Sequence, residues 1–228
     1  MATYASDDEQ LDALKNWWQD NGTSLLTGIA VVLAIFFGAQ RWQNSTEANS
    51  GAASALYQQI ADLALAKMSQ AVTEDDLLAA QTSYSQLKTD HDSSIYTRYA
   101  ALIMARFQAE LSHLDAAEAE LQWILDNPKL SLLKSADEEL FLITRLRLAK
   151  IKLALGQPQA AIDLLKAEDA GSFAAVYAEL EGDALLSLGD REGAKAAYQR
   201  ALAAITNGNP VLLNLKLQDL GVSPVEQL

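Results

Sequence analysis

The stretch GDALLSLGD, residues 182–190, joins two predicted helices. The glycine that opens it has no side chain, which allows a second helix to approach closely. The Gly-Asp pair that closes it favours the end of one helix and the cap of the next. Farther on, Ala194 and Tyr198 place a small and a large side chain on one helical face, because they are four residues apart. Residues 176–206 are therefore predicted to form a helix–turn–helix unit.

The same pattern recurs 33 residues earlier, with Ala149 in the place of Gly182 and Leu165 in the place of Tyr198. Its turn glycine is Gly156. An equal spacing of small, turn and large residues predicts that the second pair of helices repeats the first.

Two weaker copies come before these units. In the later copy Ser112 replaces the turn glycine, and an insertion at 126–137 separates this copy from the next. The matching small and large residues are Ala105, Ala117 and Leu121 in this copy, and Ala80 and Tyr84 in the faintest one, 52–90.

This order of small, turn, small and large residues, with a period near 34, resembles the tetratricopeptide repeat. Stacked helix pairs of that kind form an all-α solenoid with a concave face that holds a peptide or a partner helix. An ordinary alanine-rich helical bundle is the alternative. Positions −6, −3, +1 and +4 from the small residue of each first helix are expected to face the groove. They are Tyr99, Leu102, Arg106 and Ala109; Ile143, Leu146, Lys150 and Leu153; and Val176, Glu179, Asp183 and Leu186.

The composition and the absence of known motifs argue against several classes of function. The net charge of −13 argues against nucleic acid, since a phosphate binder needs a basic patch. No glycine-rich phosphate loop or Gly-x-Ser-x-Gly elbow occurs, and the chain has no cysteine. His91 and His113 fall in separate turns, where a solvated loop is favoured over a metal or pH-sensing site. We therefore expect no enzyme activity, no cofactor, no metal and no small-molecule substrate.

The window from Asn21 to Gln40 has no charged residue. About 20 such residues suffice for a helix to cross a ~30 Å hydrocarbon layer. Tryptophans flank the window, as they do at membrane interfaces. The predicted anchor residues, which face lipid and its interfaces, are Trp17, Trp18, Leu25, Ile29, Phe36, Arg41 and Trp42.

This assignment divides the chain into a short amphipathic segment at 1–20, a transmembrane helix at 21–42, a linker at 43–51 and a repeat domain at 52–228. A cleaved signal peptide is disfavoured by the acidic start and the bulky phenylalanines before the possible cut. A buried core helix is disfavoured by the flanking tryptophans and by the lack of a polar face. Lys15 and Arg41 balance each other, so the positive-inside rule does not decide the orientation.

Several segments together resemble the ancillary SecYEG translocon subunit family (YfgM-like proteins) of proteobacterial inner membranes. They are DEQLDALK at 8–15, WWQDNG at 17–22, the Gly38, Arg41 and Trp42 spacing, YAAL at 99–102, LRLA at 146–149, GDAL at 182–185, Gly189-Asp190 and LKLQDL at 215–220. The resemblance covers nearly the whole chain, and the N-terminal block is its specific part.

The resemblance implies a single-pass inner-membrane protein with a cytoplasmic N-terminus and a periplasmic repeat domain. It also implies association with the SecYEG channel and with a periplasmic chaperone resembling the prolyl-isomerase-like PpiD, in the trafficking of exported proteins. A membrane-tethered regulator that sequesters a signalling protein through the same groove is the alternative. A hydrolase or metal enzyme with a scattered site is the third hypothesis.

Overall fold

The computed structural model describes residues 50–128, 134–166, 170–205 and 210–222, and residues 134–137 by their backbone alone. The predicted segments 1–20 and 21–42 lie outside the described residues, as do all seven predicted anchor residues. So does most of the predicted linker. Within the described residues, no helix is both long enough and apolar enough to cross a membrane.

Ala53–Leu228 form one compact unit. Its described residues form helices and turns and contain no strand, so the all-α prediction is confirmed. The helices are α1 (described residues 50–66), α2 (Glu74–Asp90), α3 (Ile95–Glu110), α4 (Leu114–Asp126), α5 (Lys134–Ala154), α6 (Pro158–Leu165), α7 (Ala174–Ser187), α8 (Arg191–Ala204) and α9 (Val211–Asp219), with a 3₁₀ turn at Gly171–Phe173.

The odd-numbered helices α1, α3, α5 and α7 are the first helices of four successive pairs, and α9 follows the last pair. The first helices α3, α5 and α7 pack against their own second helices, and the second helices α2, α4 and α6 also contact the first helix of the next pair. The faint unit at 52–90 corresponds to α1 and α2, which contribute Ile60 and Tyr84 to a core shared with α3 and α4.

Three tight turns inside the pairs have the same geometry. Gly156 and Gly189 have φ values of +72° and +82°, and Ser112 takes the same left-handed conformation at +66°. In each turn the next residue donates its N–H to a carbonyl five residues back, for example Asp190 to Leu185 at 3.0 Å. Ser112 therefore occupies the turn-glycine position, as the comparison of the repeats predicted. An L-residue is strained in this conformation.

The small and large residues of the repeat are buried where a first helix meets its second helix. Ala194 and Tyr198 are fully enclosed, and so are the matching pairs of α2, α4 and, to a slightly smaller extent, α6. A β-carbon on Gly182 would lie 2.5 Å from Cδ1 of Tyr198. The bare glycine is thus required by the tyrosine ring, which confirms the predicted close approach.

Candidate functional site: the groove face

The first helices are linked to one another in series. Arg106 on α3 donates to the Lys67 carbonyl after α1 at 3.2 Å, and Arg147 on α5 donates to the Leu102 carbonyl of α3 at 3.2 Å. The Tyr177 hydroxyl on α7 donates to a carbonyl of α5 at 2.7 Å. These contacts place α1, α3, α5 and α7 in one row. We call the solvent side of this row, at the twelve predicted positions, the groove face.

Three predicted residues present large side chains to solvent on this face. Tyr99, Val176 and Leu186 are 37%, 41% and 39% exposed. Lys150 is exposed as well, while Ile143 is half-buried against the core shared by α1 to α5.

Two of the three −3 residues, both leucines, are placed differently. Leu102 and Leu146 are each only 7% exposed, and they belong to the hydrophobic cores of neighbouring pairs. Their side chains offer little surface to a partner, because the helices turn this position towards the next helix in the row.

An aromatic cluster covers the N-terminal part of the groove face. The ring of Tyr57 on α1 lies 6.2 Å from that of Tyr99 and 5.6 Å from that of Tyr96, with tilted planes. Such spacings are typical of favourable aromatic pairs. Tyr99 is a predicted groove residue, whereas Tyr57 and Tyr96 are not among the predicted positions.

A pocket of about 450 Å³ opens between α3 and α5. The residues that line it are Ala105, Arg106, Ala109, Glu110, Leu121, Arg147, Lys150 and Ile151. Three of them, Arg106, Ala109 and Lys150, are predicted groove residues, and all three line this one pocket. Arg147 was not predicted, because it stands at −2, which is not one of the four offsets expected to face the groove.

The pocket lining has three cationic side chains and one carboxylate. Arg106 donates to Glu110 at 2.6 Å within α3. Arg147 is half-buried, and burial, together with the nearby positive charge of Arg106, lowers its pKa. Among the described residues, neither Arg147 nor Lys150 has a carboxylate within 4.0 Å.

The acidic corner predicted on α7 is neutralised by α9. Lys216 Nζ lies 2.7 Å from both Glu179 Oε1 and Asp183 Oδ1. Burial opposes the charged form of Lys216, but the hydrogen bonds to Asp183 and Glu179 outweigh it, so its pKa is raised. Asp183 also accepts the Tyr198 hydroxyl at 2.7 Å, and burial followed by this bond raises the pKa of Tyr198. The corner is therefore a structural ion-pair network.

Within the described residues, no group of three or more histidine, cysteine or acidic side chains is placed to hold a metal ion. Outside the groove face, His113 Nε2 lies 3.3 Å from Glu74 Oε1 of α2, a contact between two exposed side chains.

The sequence profile of the tetratricopeptide repeat-like domain matches residues 15–222, which is most of the chain. The chain belongs to this tetratricopeptide repeat-like family. Membership agrees with the paired helices, the shared turns and the buried small and large residues described above.

Curated proteins named ancillary SecYEG translocon subunit are similar over nearly the full length. The one from Escherichia coli K12 is 27% identical over 223 residues, which is 97% of this chain and 100% of the relative. Those from Haemophilus influenzae and Neisseria gonorrhoeae are 27% and 25% identical, each over 96% of this chain and 100% of the relative. The resemblance stated from the sequence is thereby confirmed. No solved structure matches the chain.

Membership in the repeat family also explains what the offsets missed at the C-terminus. Lys216 lies on α9 and stands 33 residues after Asp183, which is the spacing between the last two recognisable repeats. Extending this spacing by one repeat beyond the last recognisable unit would have included Lys216.

Proposed function

We propose that this chain is a membrane-anchored adaptor at the SecYEG translocon, which binds other proteins on its groove face without catalysing a reaction. The observation that carries the proposal is the alignment of the whole chain with whole proteins named ancillary SecYEG translocon subunit. A helical-repeat fold supports a binding role, because stacked helix pairs make extended surfaces for peptides and partner helices.

The proposal includes a single-pass topology in the inner membrane. The span at 21–42 would keep the N-terminus in the cytoplasm and residues 43–228 in the periplasm. An anchor of this kind confines the groove face to the membrane plane beside the channel exit, which raises its effective concentration for emerging chains. A periplasm-only reporter fused after Leu228 is expected to be active. Activity of a cytoplasm-only reporter at the same point would contradict the topology.

The proposed partners are SecYEG itself and a PpiD-like periplasmic chaperone, which would receive exported chains from this adaptor. Interfaces concentrate their binding energy in aromatic, arginine and well-packed apolar side chains. Tyr99 in its aromatic cluster and Leu186 near the end of α7 are the exposed residues of the groove face that best fit this description. Arg106 is less available than the repeat offsets suggested, since Glu110 and the Lys67 carbonyl already accept its N–H groups.

Co-purification in mild detergent, followed by mass spectrometry, tests the proposal. Wild-type chain is expected to recover channel subunits and the chaperone. The Tyr99→Ala, Leu186→Ala variant is expected to keep its helical circular-dichroism spectrum and to lose the chaperone. Leu78→Ala removes a side chain that is 65% exposed on a second helix, α2, and is the matched control. Recovery of a response regulator in place of channel subunits would support the tethered-regulator alternative and contradict the translocon assignment.

A further inference from the structure

The pocket between α3 and α5 is positively charged although the chain as a whole carries a net charge of −13. Arg106, Arg147 and Lys150 line it, and Glu110 is the one carboxylate in its lining. In an acidic chain a cationic pocket of this kind creates a local potential opposite to that of the rest of the surface.

Two of these cations, Arg147 and Lys150, remain available to a ligand. Arg147 is positioned by one bond to the Leu102 carbonyl, a neutral group, and the remaining donors of its guanidinium are not bonded to a described carboxylate. Lys150 is exposed at the pocket rim. Bringing two guanidinium groups together in a half-buried site costs free energy, and a bound anion would recover part of that cost. Burial, and after it the positive charge of Arg106, lowers the pKa of Arg147.

The rest of the lining is apolar. Ala105, Leu121 and Ile151 are buried and Ala109 is half-buried, and we call these four residues the apolar floor. A volume of about 450 Å³ is within the range of ligand pockets and accommodates one or two side chains of a peptide. A highly charged polyanion does not suit an apolar floor, and the net negative charge of the chain would repel such a ligand.

We infer that this pocket binds a carboxylate carried by an apolar peptide segment, with Arg147 and Lys150 as the anion-binding pair and the apolar floor holding the adjacent side chain. This inference rests on the proposed function, since it specifies the partner chemistry of the groove face. Guanidinium and ammonium groups form short, strong hydrogen bonds to carboxylates, and the apolar floor adds burial of a neighbouring leucine or alanine.

A carboxylate on a peptide comes either from a glutamate or aspartate side chain or from a free C-terminus. Three synthetic peptides separate the two sources. They are acetyl-Ala-Leu-Ala-Leu-Glu-Leu-Ala-amide, the same peptide with Gln in place of Glu, and the Gln peptide with a free C-terminal carboxylate. The three peptides have the same length and the same apolar side chains, and titration of each one into protein-free micelles gives its own partition background.

Calorimetric titration of the full chain in nonionic detergent micelles is the test. At least one of the carboxylate peptides is expected to bind on the order of tenfold more tightly than the neutral Gln peptide, as loss of a charge-assisted contact implies. Raising the salt concentration from 50 to 500 mM is expected to abolish most of that preference, because it screens exposed charges. Binding of the neutral peptide as tightly as both carboxylate peptides overturns the inference.

Lys150→Glu reverses one charge at an exposed position, so the fold should be retained. It is expected to remove the carboxylate preference, whereas Lys195→Glu on α8 makes the same charge change away from the pocket and should leave it intact. Equal loss in both variants would mean that net charge alone attracts the peptide, and would overturn the pocket assignment. Co-purification of channel subunits with wild-type chain is scored separately. Intact channel association without any peptide preference removes the pocket inference alone, and lost channel association removes the proposed function.

Discussion

Replacing Gly182 by alanine tests how the repeat is packed. In an ordinary helix this change stabilises by up to ~1 kcal/mol, because glycine has more conformational freedom to lose on folding. Here the added β-carbon would lie 2.5 Å from Cδ1 of Tyr198, whereas carbon atoms make favourable contact at about 3.5–4.0 Å. The ring must therefore move by about 1 Å.

The tyrosine has little room for that movement. Tyr198 is 1% exposed, and its hydroxyl is held by Asp183 at 2.7 Å. Overpacking of this kind costs about 1–3 kcal/mol. After the helix-propensity gain is subtracted, we expect Gly182→Ala to lower the free energy of unfolding by about 1 kcal/mol. Gly182→Leu brings more atoms to the same contact and should cost more.

Urea unfolding of the full chain in nonionic detergent, followed by circular dichroism, measures the effect. Gly51→Ala is the matched control, because that helical glycine has open space where the β-carbon would be added. It should change the free energy of unfolding by less than about 0.5 kcal/mol or raise it slightly. A gain for Gly182→Ala equal to that of Gly51→Ala would refute the packing argument.

A double-mutant cycle makes the test sharper. Gly182→Ala combined with Tyr198→Leu copies the alanine–leucine pair that Ala149 and Leu165 form one repeat earlier. Tyr198→Leu alone should be destabilising, since it leaves space above Gly182 and removes the bond to Asp183. The double variant should be more stable than the sum of the single losses by about 1 kcal/mol, and strictly additive losses would contradict the proposed contact.

Three further predictions concern other parts of the fold. Ser112→Gly should raise the free energy of unfolding by about 0.5–1 kcal/mol, because Ser112 is in the left-handed region at φ +66°, and a lower urea midpoint would contradict this. Hydrogen bonding to Lys67, and then to Thr73, lowers the pKa of Asp76 from its usual value of 3.8 to about 2. The contribution of Asp76 to the free energy of unfolding should therefore be complete above pH 4 and be lost as the pH falls towards 2. Asp76→Asn should remove that part of the acid dependence in unfolding curves measured between pH 2 and 5, and an unchanged curve would contradict it. Lys216→Met should leave two carboxylates of α7 unpaired and increase hydrogen–deuterium exchange in α9, and unchanged exchange would show that the ion pairs do not hold that helix.

The repeat architecture could be predicted because its signals are local. A glycine at a left-handed turn position and a small residue facing a large one are requirements of one helix pair, and each pair meets them again. The position of Ser112 was found in this way although its residue type is unfavourable there. The long interval between the second and third units also has a structural counterpart. It corresponds to the segment between α4 and α5 together with the length of α5, which has 21 residues.

Features of the groove face that depend on neighbouring repeats were harder to predict. The burial of Leu102 depends on how closely α3 approaches the next first helix, and no residue pattern within α3 reports that distance. The position of Arg147 depends on the same distance. The pairing of Lys216 with Glu179 and Asp183 joins residues more than 30 positions apart across two helices. Offsets within one repeat therefore predict which side of a first helix a residue lies on, and the stacking of repeats decides which of these residues are exposed.

Site-specific photo-crosslinking in living cells tests the central claim most directly. A photoreactive amino acid is placed at Tyr99 or Leu186 on the groove face, or at Gln122 or Gln199 on the exposed sides of α4 and α8. The translocon-adaptor account predicts adducts with SecYEG subunits or with a PpiD-like chaperone from the two groove positions, and none from the two control positions. Adducts with these proteins from Gln122 and Gln199 alone, or from all four positions equally, would contradict it.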